Sequence, residues 1–271
     1  MSQPSRRSPA FRYEPGRAPV PRDEEIVVEE PLEIRVSGET LTITMRTPGH
    51  DRELAAGWLL SEGIICSRDD LGAISHCGRP GDEGYENTLD VTPAPGAKLE
   101  LDGIAPRGTL QSSACGVCGR RSIDDLLARV GPVQDETHFS RELIAGATDQ
   151  LRNVQPVFAR TGGLHAAVAI DRDGKVLLSR EDVGRHNAVD KVSGRLLLDD
   201  ALTTTGRLLV VSGRTSFEIV QKAVAARFAG VISVSAPSSL AVATAERAGL
   251  LLVGFCRDGS FNAYAGDRRL A

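Results

Sequence analysis

The sequence predicts an α/β protein: a three-layer α/β domain in the C-terminal half, preceded by a smaller β-rich α+β region. Three observations carry this. Beyond residue 185 strand-like and helix-like segments alternate, the order of crossover-connected parallel strands. The strand candidates at 207–211, 231–234 and 250–255 are dominated by apolar residues, as strands covered on both faces require. Residues 26–46 instead alternate apolar and polar side chains, the period of a sheet with one wet face.

Taken in order, residues 1–24 are rich in Pro, Arg and Ser and read as a disordered tail. Ser5-Arg6-Arg7-Ser8-Pro9-Ala10-Phe11 has the arginine pair of an export signal, but no apolar stretch follows it, so it is not read as one. Segments 26–35 and 40–46 form a hairpin across Ser37-Gly38-Glu39. Asp51–Glu62 carries Leu54, Trp58 and Leu59 on one helical face. Residues 76–92 read as short strands and turns, with a loop at Gly78-Arg79-Pro80-Gly81-Asp82. A thiol-bearing segment leads into helices at Ile123–Val130 and 141–151. Segments 166–170 and 175–178 flank Asp171-Arg172-Asp173-Gly174, a hairpin turn. Helices at 186–198, 216–228 and 238–248 separate the apolar strands, and a last strand at 261–265 turns back. The division is therefore a tail at 1–24, a β-rich region at 25–110, a mobile thiol loop at 111–121 and the α/β domain at 122–271.

Composition narrows the function. A hydrophobic content of 41% suffices for a core, and five cysteines, an odd number, argue against a secreted disulfide framework. A net charge of −4 gives no general attraction to nucleic acid or anionic lipid, and 4% aromatics is too few for a base-stacking platform. No segment approaches the roughly 20 apolar residues of a membrane span. A cytoplasmic protein is expected.

The densest chemical signal is Ser112-Ser113-Ala114-Cys115-Gly116-Val117-Cys118-Gly119-Arg120-Arg121. A sulfur nucleophile acts as the thiolate, and neighbouring guanidiniums favour that form. Glycines beside the thiols leave room for a partner to approach. Cys115 and Cys118 therefore read as a reactive pair. The same spacing suits half of a zinc site, but Cys66, Cys77 and Cys256 are isolated and the five histidines lack ligand spacing. A structural disulfide across so small a loop would stabilise little. No metal site is expected.

Ligands of open α/β sheets bind beyond the carboxyl ends of the strands. Three polar loops fall there: Ser212-Gly213-Arg214-Thr215-Ser216, Ser235-Ala236-Pro237-Ser238-Ser239 and Cys256-Arg257-Asp258-Gly259-Ser260. The first two precede helices, whose N-termini suit phosphate, and Arg214 adds a guanidinium. Walker A and G-x-G-x-x-G patterns are missing, which argues against an ordinary ATP or dinucleotide site. A second polar cluster, from Glu181 to Lys191, holds Asp182 and His186, groups able to orient a heterocycle or move a proton. Its alternative use is a helix start satisfied by its own side chains.

Five ordered motifs, S-A-C-G-V-C-G-R, G-G-L-H-A-A, E-D-V-G-R-H-N-A-V-D-K, S-G-R-T-S-F-E-I-V-Q-K and G-F-C-R-D-G-S-F-N-A-Y, together resemble the formate dehydrogenase accessory sulfurtransferase family, FdhD. The resemblance runs from about residue 26 to 266. It implies a cytidine-deaminase-like α/β domain, a homodimer, and a sulfur carrier loaded by a cysteine desulfurase. The acceptor it implies is molybdenum bis(molybdopterin guanine dinucleotide), destined for apo formate dehydrogenase, with GDP a partial mimic. Cys115 and Cys118 match the family's loop thiols, and Phe255 to Ser260 its cofactor-binding segment. Asp258 or Asp182 would then accept hydrogen bonds from guanine. Zinc deaminases, the other reading of such a domain, need H-x-E followed by P-C-x-x-C. Here His165-Ala166-Ala167 lacks the Glu and the C-x-x-C precedes it. A chaperone that only holds the cofactor is the non-catalytic alternative.

Overall fold

Residues 5–27 form a hairpin, which corrects the expectation of a disordered tail: β1 (Ser5–Arg12) pairs antiparallel with β2 (Val20–Val27). The structure, a computed structural model, describes residues 3–79, 81–82, 84–97, 99, 101, 123–202 and 205–271. Little of this hairpin is buried. Cross-strand pairs hold it instead, Arg7 with Asp23 at 3.1 Å and Ser5 with Glu25 at 2.5 Å, and Arg160 ties Glu25 to the body at 2.9 Å.

A four-stranded sheet follows. Its elements are β3 (Glu30–Val36), β4 (Glu39–Arg46), helix α1 (Asp51–Glu62), β5 (Leu71–His76) and β6 (Thr88–Pro93). The strand order is β4-β3-β6-β5, with β3 and β6 parallel. The β3–β4 turn places Ser37 and Gly38 both at positive φ, the twist that suits a tight hairpin. Alternation does the rest: Leu32, Ile34 and Val36 face inward and are almost fully buried.

The larger domain contains α2 (Ile123–Val130), α3 (Arg141–Gly146), α4 (Asp149–Asn153), α5 (Pro156–Thr161), β7 (His165–Ile170), β8 (Val176–Asp182), α6 (Arg185–Leu198), β9 (Leu208–Val211), α7 (Phe217–Ala225), β10 (Gly230–Ser233), α8 (Ser239–Ala248), β11 (Leu251–Arg257) and β12 (Ser260–Ala265). The helix expected over 141–151 is two short helices, because the Thr148 hydroxyl turns to donate to the Cys256 carbonyl at 2.9 Å. The α5 turn, begun by Pro156 in its first turn, was not anticipated. The six strands lie in the order β12-β11-β10-β9-β7-β8, with β9, β10 and β11 parallel and β7 antiparallel to β9 and β8.

Both faces of this sheet are covered, as its apolar strands demand. Ala167, Leu209, Val231 and Leu252 pack towards α6, α7 and α8. Val168, Val210, Ile232 and Val253 pack on the opposite side with Phe139, Ile144 and Leu151. Helix α1 lies between α6 and the small sheet, and its buried residues share one core with both. Glycines permit that approach: a Cβ on Gly57 would fall 1.9 Å from the Asp190 carbonyl oxygen, and one on Gly194 would fall 1.8 Å from that of Glu53. Among the described residues no helix is long and apolar enough to cross a membrane.

Candidate functional site

The topology gathers five segments at one sheet edge. The parallel strands β9, β10 and β11 all deliver their carboxyl ends there. Because β7 runs against β9, its first residue, His165, arrives at the same edge, as do the end of β8 and the start of α6. Backbone bonds join the loops after β9 and β10 to each other and to β11 itself. Thr215 N–H donates to Ala236 O at 3.2 Å, Ser238 N–H to Thr215 O at 2.9 Å and Phe255 N–H to Ser235 O at 3.2 Å. The first two loops anticipated from sequence therefore run together, with β11 tied to the second; of the third, 256–260, Cys256 and Arg257 belong to β11 and Ser260 to β12, which leaves a two-residue turn.

Individual side chains divide between holding the edge together and facing outward. The Ser212 hydroxyl accepts from Ala166 N–H at 2.9 Å, and Ser238 caps α8 by accepting from Ala241 N–H at 3.2 Å. Gly213 lies against His165 and Arg185, since a Cβ there would sit 3.4 Å from His165 Nδ1 and 3.5 Å from Arg185 Cδ. Arg214 is exposed, and Thr215 is buried with a hydroxyl that has no hydrogen-bond partner among the described residues. His186 Nε2 lies 2.7 Å from Glu218 and 3.2 Å from the Ser216 hydroxyl. Burial lowers its pKa, against the opposing pull of Glu218. His165 is also lowered, by burial first and by Arg185 second, so both imidazoles favour the neutral form at pH 7.

The segment after Gly254 is strained. Phe255 and Asp258 adopt positive φ, 51° and 53°, and the β11–β12 register slips between Gly254 and Arg257. Phe255 is exposed, and the Arg257 guanidinium lies 5.9 Å from its ring centroid. Asp258, Gly259 and Ser260 are exposed, and the Ser260 hydroxyl donates to Arg257 O at 3.1 Å. Backbone strain of this kind persists only where surrounding structure fixes it.

Two expected ligand groups are otherwise engaged. Asp182 is fully buried; it pairs with Lys191 at 2.7 Å and accepts from Thr47 N–H, Gly184 N–H and the Asn187 amide. It has no oxygen left for a guanine, and locks the β4–α1 connection to the start of α6. Cys256 is 0% exposed and its thiol donates to Ile144 O at 3.1 Å on the opposite face of the sheet. Burial raises its pKa. Arg185, between these segments, stands in the polar cluster expected to bind a heterocycle or orient a substrate, although sequence reasoning did not single it out as a site residue. Cys115 and Cys118 lie outside the described residues.

The family model described as the FdhD/NarQ family matches residues 27–271. The sulfur carrier protein FdhD of Anaeromyxobacter dehalogenans strain 2CP-C is 52% identical over 253 residues, covering 90% of this chain and 88% of that protein. The sulfur carrier protein FdhD of Mycolicibacterium paratuberculosis is 48% identical over 256 residues, 93% of each chain. Among solved structures, a protein from Desulfotalea psychrophila, provisionally described as a formate dehydrogenase accessory protein, superposes with a TM-score of 0.76. The superposition covers 98% of this chain and 99% of that one at 22% identity, and so supports the mixed α/β fold alone. With its family model matched over residues 27–271 and relatives near half identity along nine-tenths of its length, the chain belongs to the FdhD/NarQ family.

Proposed function

We propose that the protein is a sulfur carrier in the maturation of formate dehydrogenase. Cys115 accepts a sulfur atom as a persulfide from a cysteine desulfurase, and the acceptor is the molybdenum bis(molybdopterin guanine dinucleotide) cofactor. The observation that carries this reading is the C-x-x-C pair followed by two arginines, in a chain whose relatives at about half identity are named sulfur carriers. The sheet edge built by the three loops is the proposed seat of a guanine nucleotide end of the cofactor, with Arg214 and Arg257 towards phosphate and Asp258 towards the base. A dimer, a cytoplasmic location and the lack of a zinc requirement belong to the same proposal.

The chemistry balances with two thiols. Attack of the Cys115 thiolate on the donor's terminal sulfur breaks the donor's S–S bond, frees its thiolate and forms the Cys115 persulfide. Attack of the Cys118 thiolate on the Cys115 sulfur then releases hydrosulfide and leaves a disulfide, for a thiol reductant to reopen. Hydrosulfide is the form a metal centre can take as a ligand. A deaminase finds no support at position 167, which is alanine where the proton-shuttling Glu would stand.

Intact-mass measurement after incubation with a desulfurase and cysteine tests the assignment. The wild type should gain one sulfur atom and Cys115→Ala none, while Cys118→Ala should gain it and fail to release it. Full loading of Cys115→Ala would remove Cys115 as the carrier. A Cys115→Ala protein that still matured formate dehydrogenase would favour a chaperone that merely holds the cofactor.

A further inference from the structure

The β1–β2 hairpin is an arm held only at its root. Residues 11–13 and 15–24 are all exposed, and Phe11, Tyr13 and Val20 at the outer end are 64%, 74% and 51% exposed. The ties to the body lie at the other end. Glu25 meets Arg160 at 2.9 Å, and Val27 packs on Gly163, where a Cβ would fall 2.5 Å from Val27 Cγ2. A two-stranded hairpin is marginal by itself in water, and grouped apolar side chains at its end mark a contact surface. The family match begins at residue 27, where the arm ends.

Strand addition is closed to this arm. Val28 N–H donates to Pro4 O at 2.9 Å, and the alternation of bonded pairs along the ladder turns the backbone of Pro9 and Pro21 outward. Proline has no N–H, so each outer edge lacks a donor. The arm therefore docks by its side chains, and their charge selects the surface. Between residues 11 and 22, Arg12, Arg17 and Arg22 stand against Glu14 alone. Arg12 and Arg17 share that carboxylate at 3.3 and 2.7 Å, and Arg22 has no ion pair among the described residues. Exposed pairs of this kind are worth at most about 1 kcal/mol, so they exchange readily for others.

The complementary surface is on the same chain. Where β5 connects to β6, Glu30, Asp82, Tyr85, Glu86 and Asn87 line a cavity of about 410 Å³. Among the described residues its lining holds three carboxylates and no cation. The buried Arg46 reaches Glu30 at 3.3 Å but is taken by Asp51 at 3.1 Å. The Tyr85 ring offers a guanidinium a face. Glu30 follows the arm by three residues, so the cavity sits by the arm's root. Arg17 lies at the turn, beyond eight-residue strands about 27 Å long, and so is held away from the cavity of its own chain. We propose that the hairpin is an exchange arm, whose turn, led by Arg17, seats in this cavity of a second copy while that copy's arm seats in the first. A two-fold axis makes the two contacts identical and closes the pair. This rests on the dimer named above and gives it an interface.

Sedimentation equilibrium on the full chain tests the exchange. Wild type should form a dimer that loosens in high salt. Arg17→Glu and Asp82→Arg should each weaken self-association about tenfold or more. Mixed in equal amounts, the two variants should regain wild-type affinity, because the reversed arm meets the reversed cavity and the other contact is unaltered. A misfolded variant would gain nothing from mixing. Both variants should still take up sulfur at Cys115, a step the arm does not enter. Dimers as tight as wild type in both variants would overturn the exchange arm and leave the dimer standing elsewhere. A monomeric wild type that still loads sulfur would overturn the arm and the dimer together and leave the carrier reading intact. Loss of loading by the desulfurase in Arg17→Glu, with its dimer unchanged, would assign the arm to the sulfur donor and overturn the exchange.

Discussion

Asp182 and Lys191 show how a polar motif can be spent on architecture. Both are at most 1% exposed and sit 2.7 Å apart, and Lys191 also donates to Thr47 O at 2.9 Å. Such a pair is weak evidence of net stabilisation, but removing one partner strands the other charge in the interior. Asp182→Ala should therefore lower the unfolding free energy by about 3–5 kcal/mol, read from the urea midpoint. The double variant Asp182→Leu with Lys191→Met should recover much of that loss. Glu53 gives the pH counterpart. Burial alone would raise its pKa, but the two-pronged bond from Arg180, at 2.5 and 2.8 Å, and the contact with His50 hold it at about 2. The folded pKa lies below the ordinary 4.5, so its contribution is complete above pH 4.5 and disappears as pH falls towards 2. Melting temperature should fall less between pH 5 and pH 2.5 in Glu53→Gln than in wild type.

At the scale of elements, the contact between α1 and α6 decides how the two sheets meet. Read as a helix alone, α6 would gain from replacing Gly194, since alanine is favoured over glycine by about 1 kcal/mol. Packing reverses the sign. A Cβ at Gly194 would stand 1.8 Å from the Glu53 carbonyl oxygen and 2.6 Å from the Gly57 amide nitrogen. Backbone cannot move aside as a side chain can, so Gly194→Ala must push the helices apart. A net loss of about 1–3 kcal/mol is expected, measured by chemical denaturation; increased stability would contradict the close approach. The strand and helix assignments from β7 onward were legible because apolar runs and 3.6-residue periods persist there. The β1–β2 hairpin was not legible, because its residues are polar and exposed and its order comes from cross-strand pairs and from Arg160.

For the whole molecule, one apolar core runs from the small sheet through α1 into α6 and the large sheet. The two regions should therefore lose structure together. Trp58, the single tryptophan, is 8% exposed on α1 and reports that junction directly. Its fluorescence transition in urea should coincide with the far-UV circular dichroism transition, as a cooperative unit requires; separate midpoints would show two independent regions.

The sequence by itself determined the α/β class, the alternation of the second half and the three loops beyond β9, β10 and β11, because local period and strand direction suffice for these. Family membership was legible in the same way, from five ordered motifs. Only the tertiary structure decided which polar residues remain available. Asp182, Cys256 and Arg185 are equally polar or reactive as letters in a chain. The fold buries Asp182 against Lys191, turns Cys256 to the far face and, among the described residues, leaves the buried Arg185 Nε without a hydrogen-bond partner. Side-chain direction, burial and partners depend on contacts between residues far apart in sequence, such as Thr47 with Lys191 and Ile144 with Cys256. Those contacts exist only once the sheets have packed.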